Sequence, residues 1–260
     1  MINILALNRI VLVPIGVFIA CQLHGEAIAI TNPNFGTVQS DSNTASCVTG
    51  GVLNNTSFID ANVGYSGGCL DSNPFAGTWT VSSGADAGVF NPTGTGLFSV
   101  SVPDGPNVAF DNGGASAGDV GTISQTLSSV LAAGSYTLTV NVGSRNDSHP
   151  LNNYIVELLA GGNVIASDNS LTPTAGTFGL DTIKATVLAS NPDLGEALGI
   201  AFLVTKTNAL NQADFSGVAL DYETPVGVGV VPEPSSLVVC AAGAAAILFR
   251  VRSRRGARQS

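Results

Sequence analysis

The sequence predicts an all-β fold, an antiparallel two-sheet sandwich placed between two terminal processing segments. Three observations predict it. Apolar and polar residues alternate with a period of two in successive short segments, as half-buried strands do. Between residues 30 and 225 no long window keeps a 3.6-residue period without meeting glycine or proline, so nothing beyond one helical turn at Asp193–Leu198 is expected. Turns rich in Gly, Asn and Ser separate the alternating runs. The chain is 45% hydrophobic and 10% charged, which excludes a disordered polymer, and its 31 glycines have no collagen period. A formal net charge of −9 argues against holding nucleic acid by neutralising phosphates.

Residues 1–29 read as a secretory signal peptide. One basic residue, Arg9, precedes an apolar run from Ile10 to Cys21, and Ala27-Ile28-Ala29 supplies a small-x-small site with the cut before Ile30. That run falls short of the roughly 20 residues a membrane-spanning helix needs. Signal peptidase is an expected partner.

The ectodomain then runs over residues 30–225. It keeps three basic residues, Arg145, Lys184 and Lys206, against 16 acids. Such a balance favours solubility outside the cell and disfavours anionic partners. Cys21 belongs to the leader and Cys240 to the tail, so Cys47 and Cys69 are expected to pair after export. The loop between them is rich in Gly, Asn and Ser, and closing it contributes on the order of 3 kcal/mol.

Strands are expected next at Thr78–Ser82, Leu97–Val102, Asn107–Phe110 and Thr122–Leu127. Ser135–Val142 sets Tyr136, Leu138, Val140 and Val142 on one face. Asn153–Leu159 leads through Ala160-Gly161-Gly162-Asn163 into Val164–Ala166, a hairpin. Thr182–Leu188, Leu198–Val204 and the closing run Asp214–Glu223 follow.

Asn34-Phe35, Gln125-Thr126-Leu127, Ala133–Leu138, Val142–Asp147 and Asp214-Phe215 before Val218-Ala219-Leu220 together resemble the galactose-binding-like jelly roll of carbohydrate-binding modules. The resemblance spans about residues 100–223. It implies a jelly-roll sandwich, and in such modules a Glu after Asn-x-Phe and an Asp after the late Phe help hold a structural calcium ion. Here Gly36 and Ser216 follow the two phenylalanines, and Asp214 or Asp221 would have to substitute. No other cofactor is expected, calcium stays compatible with the acidic charge, and the metal is left unknown.

No catalytic residue is expected. His149 lies in the polar turn Arg145-Asn146-Asp147-Ser148-His149-Pro150, where sequence neighbours are poorly placed to form an ordered triad, and no Gly-x-Ser-x-Gly elbow occurs. The candidate ligand-binding residues are Arg145, whose planar fork suits hydroxyls and carboxylates, with Asn146 and Asp147, and Trp79 as an aromatic platform.

Residues 226–231 form a linker to the last segment, 232–260. Pro232-Glu233-Pro234 precedes an apolar run expected to form a short transmembrane helix over about 236–249, and Arg250, Arg252, Arg254, Arg255 and Arg258 follow. An arginine cluster stops translocation. These parts, in this order, resemble the PEP-CTERM sorting signal of Gram-negative bacteria. The resemblance implies an exosortase-type processing enzyme as partner, transient residence in the inner membrane, and release to the cell surface or outside. The function expected from these readings is a noncatalytic exported surface or extracellular-matrix protein. The alternative is a carbohydrate-binding module for the cell's own exopolysaccharide.

Overall fold

The computed structural model describes residues 25–63, 66–151, 153–207 and 210–225. Among them the chain forms strands, turns and irregular backbone, with no helix. In chain order the strands are β1 (Glu26–Ile28), β2 (Val48–Thr49), β3 (Val52–Leu53), β4 (Phe58–Asp60), β5 (Cys69–Leu70), β6 (Thr80–Val81), β7 (Ala87–Phe90), β8 (Val108–Asp111), β9 (Val120–Val130), β10 (Gly134–Ser144), β11 (Tyr154–Ala160), β12 (Asn163–Asp168), β13 (Thr177–Val187), β14 (Ala197–Thr205) and β15 (Ala213–Glu223).

An eight-stranded sheet runs β13-β10-β15-β8-β7-β4-β5, with β1 pairing the far half of β15. A five-stranded sheet runs β12-β11-β14-β9-β6, and β2 and β3 form a small hairpin. The alternating residues explain how the two large sheets meet. Leu138, Val140 and Val142 of β10 and Phe215 of β15 share one buried core with Val156 and Leu158 of β11 and with Ile200, Phe202 and Val204 of β14. The Phe202 and Phe215 rings stack across the layers at 4.5 Å. This is the predicted sandwich, with one exception to antiparallel pairing, β4 beside β5. Cys47 and Cys69 are bonded and buried in the same core.

The structure differs from the expected strands in several places. β1, upstream of the expected cut before Ile30, pairs with β15, Glu26, Ala27 and Ile28 registering with Tyr222, Asp221 and Leu220. Leu97–Val102 is not a strand. Its apolar residues instead cover a second cluster of Phe90, Val108 and Phe110 on the far face of the large sheet. β4 and β7 carry no alternation to detect, since β7 is buried at every position. Finally, β13 begins at Thr177, ahead of the regular alternation. Among the described residues no helix is long and apolar enough to cross a membrane. The expected helix over 236–249, Pro232, Glu233, Pro234 and the arginines 250–258 lie outside the described residues.

Candidate active site

Directly opposed residues of antiparallel strands share a face. One such row crosses the large sheet: Phe178 on β13, Gly143 on β10, Asp214 on β15, Phe110 on β8, Gly88 on β7 and Asp60 on β4. Ala213 and Phe215 enter the main core, so Asp214 faces the other way, the side on which Phe110 and Phe178 form the second cluster. A cavity of about 560 Å³ opens on that side. Phe58, Phe90, Phe110, Leu97 and Leu210 make its apolar wall, and Asp86, Asn112, Arg145, His149, Lys206 and Gln212 bring polar groups to it. A largely apolar wall with a few converging polar groups is what a small-molecule site requires.

Asp214 is the buried acid of this site. It has no exposed surface, its Oδ1 accepts a hydrogen bond from Gln212 Nε2 at 2.7 Å, and its Oδ2 has no partner. Burial pushes its pKa up to about 7, against the opposing pull of the Gln212 amide and the Arg145 charge. At neutral pH a large share of Asp214 therefore carries a proton. Gln212 links it to the cavity rim, since Arg145 Nη1 donates to Gln212 Oε1 at 2.6 Å. The other arm of Arg145 pairs with Asp147. Asp147 also accepts from the His149 amide at 3.1 Å and faces His149 Nδ1 at 3.2 Å. Partial burial pushes Asp147 up, but the His149 amide and Arg145 outweigh it and hold its carboxyl below the usual range.

The predicted ligand residues thus separate. Arg145 lines the cavity, and Asp147 holds it in place. Asn146 turns away and donates to Gly96 O at 2.8 Å, fastening the covering segment. Trp79 is no platform: it is buried, donates through Nε1 to Asn32 O at 3.1 Å, and stacks on Phe202 at 5.3 Å. His149, read as part of a solvated turn, reaches the cavity instead. No catalytic residue was expected, and Asp214 entered the sequence reading only as a stand-in calcium ligand. Its one signal was a carboxylate on a strand whose opposite face is wholly apolar, and period two alone assigns such a residue to solvent.

The two acids offered in place of the missing calcium carboxylates do not come together. Asp214 is engaged by Gln212, and Asp221 is exposed. Among the described residues no three acidic, histidine or cysteine side chains converge as a metal site.

The family model for HpiC1-like proteins, described as HpiC1 cyclase, matches residues 26–221. The chain belongs to the HpiC1-like cyclase family. No curated protein matches this cyclase. Among solved structures it resembles the Stig cyclase Fisc of Fischerella sp. TAU in complex with (3Z)-3-(1-methyl-2-pyrrolidinylidene)-3H-indole, with a TM-score of 0.59 and 24% identity over 77% of this chain and 99% of that one. It is similar to the apo form of a cyclase from Fischerella sp., with a TM-score of 0.57 and 24% identity over 76% and 97% of the two chains. A third likeness, to a Fischerella sp. TAU cyclase in complex with 4-(1H-indol-3-yl)butan-2-one, has a TM-score of 0.55 and 24% identity over 76% and 98%. At this identity the structures share the fold. Family membership overturns the expectation of a noncatalytic surface or matrix protein and its carbohydrate-binding alternative: the chain is a cyclase-type enzyme. The description of the chain as an exosortase substrate of the matrix gives way with it, because the match covers the sandwich and names a catalyst.

Proposed function

We propose that this cyclase closes a ring on a 3-substituted indole or a similarly flat, largely apolar molecule, and that Asp214 is the acid that starts the reaction. One observation carries the reading: a fully buried carboxyl, protonated near neutral pH, stands beside Phe110 under an aromatic-walled cavity. The indole ligands of the two complexed Fischerella cyclases support the substrate class. Asp214 Oδ2 has no partner within the fold, and Gln212, which holds its Oδ1, lines the cavity. Protonating a π bond of the substrate leaves a cation, a nearby π bond closes on it, and loss of a proton completes an isomerisation. The apolar wall excludes water that would otherwise trap the cation.

The test is a panel of 3-alkenyl indoles, followed by chromatography for a product of unchanged mass. Wild type yields such an isomer. Asp214→Asn slows it by roughly 100-fold or more, the usual worth of a general acid, and still binds 4-(1H-indol-3-yl)butan-2-one by calorimetry. Turnover by wild type is expected to fall as pH rises through about 7, where Asp214 loses its proton. A protein that binds the ketone and isomerises nothing on the panel would sink the acid role. Export belongs to the same proposal. The leader supports signal peptidase as a partner, and a cut upstream of Glu26 would keep β1 on the sheet.

A further inference from the structure

The cavity holds a second set of carboxyls that the acid role of Asp214 does not use. Asp86 lines it. Behind Asp86 lies Asp60, with no exposed surface, whose Oδ1 accepts from the amides of Asn62 at 2.8 Å and Val63 at 2.6 Å. Asp60 Oδ2 is buried and no donor in the fold serves it. The Asp86 carboxyl is within hydrogen-bond reach of Asp60, so a proton on one of the two acids is what satisfies the pair. Around Asp86 the donors are different. Asn112 Nδ2 donates to Asp86 Oδ1 at 3.0 Å, and Lys206 Nζ lies 3.8 Å from Oδ2. The Asp86 carboxyl thus accepts from an amide and faces an ammonium, the surroundings a proton acceptor needs. Asp111, on the core side of β8 with its Oδ1 taken by Gly113 N at 2.6 Å, adds a buried carboxyl next to both.

The position is complementary to Asp214. Asp214 and Asp60 occupy one cross-sheet row, with Phe110 and Gly88 between them. Three strand steps separate them, roughly 14 Å at the usual spacing of about 4.8 Å. Asp86 and Phe110 both line the cavity, so an aromatic substrate lying against Phe110 would have Asp214 beside that ring and Asp86 at another wall.

We propose that Asp86 is the proton acceptor of the cyclisation, and that Asp60, hydrogen-bonded behind it, and Lys206 position it for that role. This rests on the cyclase reading above. Asp214 gives its proton to the substrate and becomes a carboxylate. After ring closure a C–H bond breaks, its electron pair restores the π system, and the proton passes to Asp86. Product and substrate are isomers, and exchange with water returns a proton to Asp214 and removes one from Asp86.

Two measurements test this, both on the full chain. The first is the infrared band of protonated carboxyls in the resting protein near neutral pH. Asp60→Asn, which keeps an Oδ1 for the Asn62 and Val63 amides, is expected to remove one protonated carboxyl from the spectrum. An unchanged band overturns the shared proton. The second uses 4-(1H-indol-3-yl)butan-2-one in heavy water, where a base beside the ketone exchanges its α-hydrogens. Wild type is expected to exchange them, Asp86→Asn to slow exchange by roughly 100-fold or more at unchanged ketone affinity, and Asp86→Glu to recover part. Asp60→Asn is expected to move the pH profile of exchange, which a purely structural residue would not do. Asp60, Asp86, Asp111 and Lys206 are the titrating and charged groups in that profile. Exchange at the wild-type rate in Asp86→Asn, or ketone binding without exchange, overturns the acceptor role alone. Failure to bind the ketone overturns the proposed substrate class and the acceptor role together.

Discussion

Asp214 and Asp221 lie on the same strand and meet opposite fates. Asp221 is exposed, whereas Asp214 is sealed beneath Gln212, between Phe110 and Gly143 of the neighbouring strands. Arg145 tunes the sealed one. Its charge lowers the Asp214 pKa, so Arg145→Met should let the acid hold its proton to higher pH. The descending limb of the pH–rate profile is then expected to move upward, and a limb that stays in place would show that Arg145 acts only in substrate binding. Gly88 matters in another way. A Cβ there would meet Ile59 O at 2.0 Å, a backbone atom that no rotamer change can move. Gly88→Ala is expected to cost about 3 kcal/mol or more, above the usual range for overpacking, read from the midpoint of urea unfolding. Loosening β4 against β7 should also disturb Asp60, which sits opposite Gly88.

At the scale of elements, β9 and β11 of the five-stranded sheet were legible because their side chains alternate between a buried face and a more open one. In β9 the alternation continues over Gly121, Ile123, Gln125 and Leu127, all buried. β4 and β7 were not legible: β7 is covered on both faces and β4 is only three residues long, so period two disappears where the site is built. β1 is a different case: the stretch read as a cleavage site also supplies a strand, and its register with β15 is set by the fold. A protein starting at Ile30 should be less stable than one starting at Gly25 by about 2 kcal/mol, lowering Tm by roughly 4–8 °C. Equal melting temperatures would make β1 dispensable. The Cys47–Cys69 bond closes a separation of 22 residues beside β5, and its reduction should cost about 3 kcal/mol in the same assay.

Over the whole molecule, buried acids set the pH response. Burial raises the pKa of Asp214 and Asp60 to about 7 and that of Asp181 to about 6. Each is ionised near pH 4 in the unfolded chain. Between those values the folded state binds more protons than the unfolded state, so stability falls as pH rises. Tm is expected to be higher at pH 5 than at pH 8, and Asp214→Asn should flatten the difference. A Tm that climbs over this interval would mean that these acids are ionised in the fold.

What the sequence determined by itself was the all-β sandwich, its longer strands and the disulfide, because each leaves a mark in local spacing or in residue type. Of the candidate site, only Arg145 left such a mark. Asp214 and Phe110 meet through the pairing of β15 with β8, and Gln212, Arg145, Asp86 and Lys206 reach the cavity from separate stretches of chain, Lys206 from the end of β14 in the other sheet. Their chemistry follows from what covers them. A carboxyl in water is ionised at neutral pH, and the same carboxyl closed off from solvent beneath Gln212 keeps its proton up to about pH 7. That change of solvent is a property of tertiary packing, which periodicity along the chain does not encode.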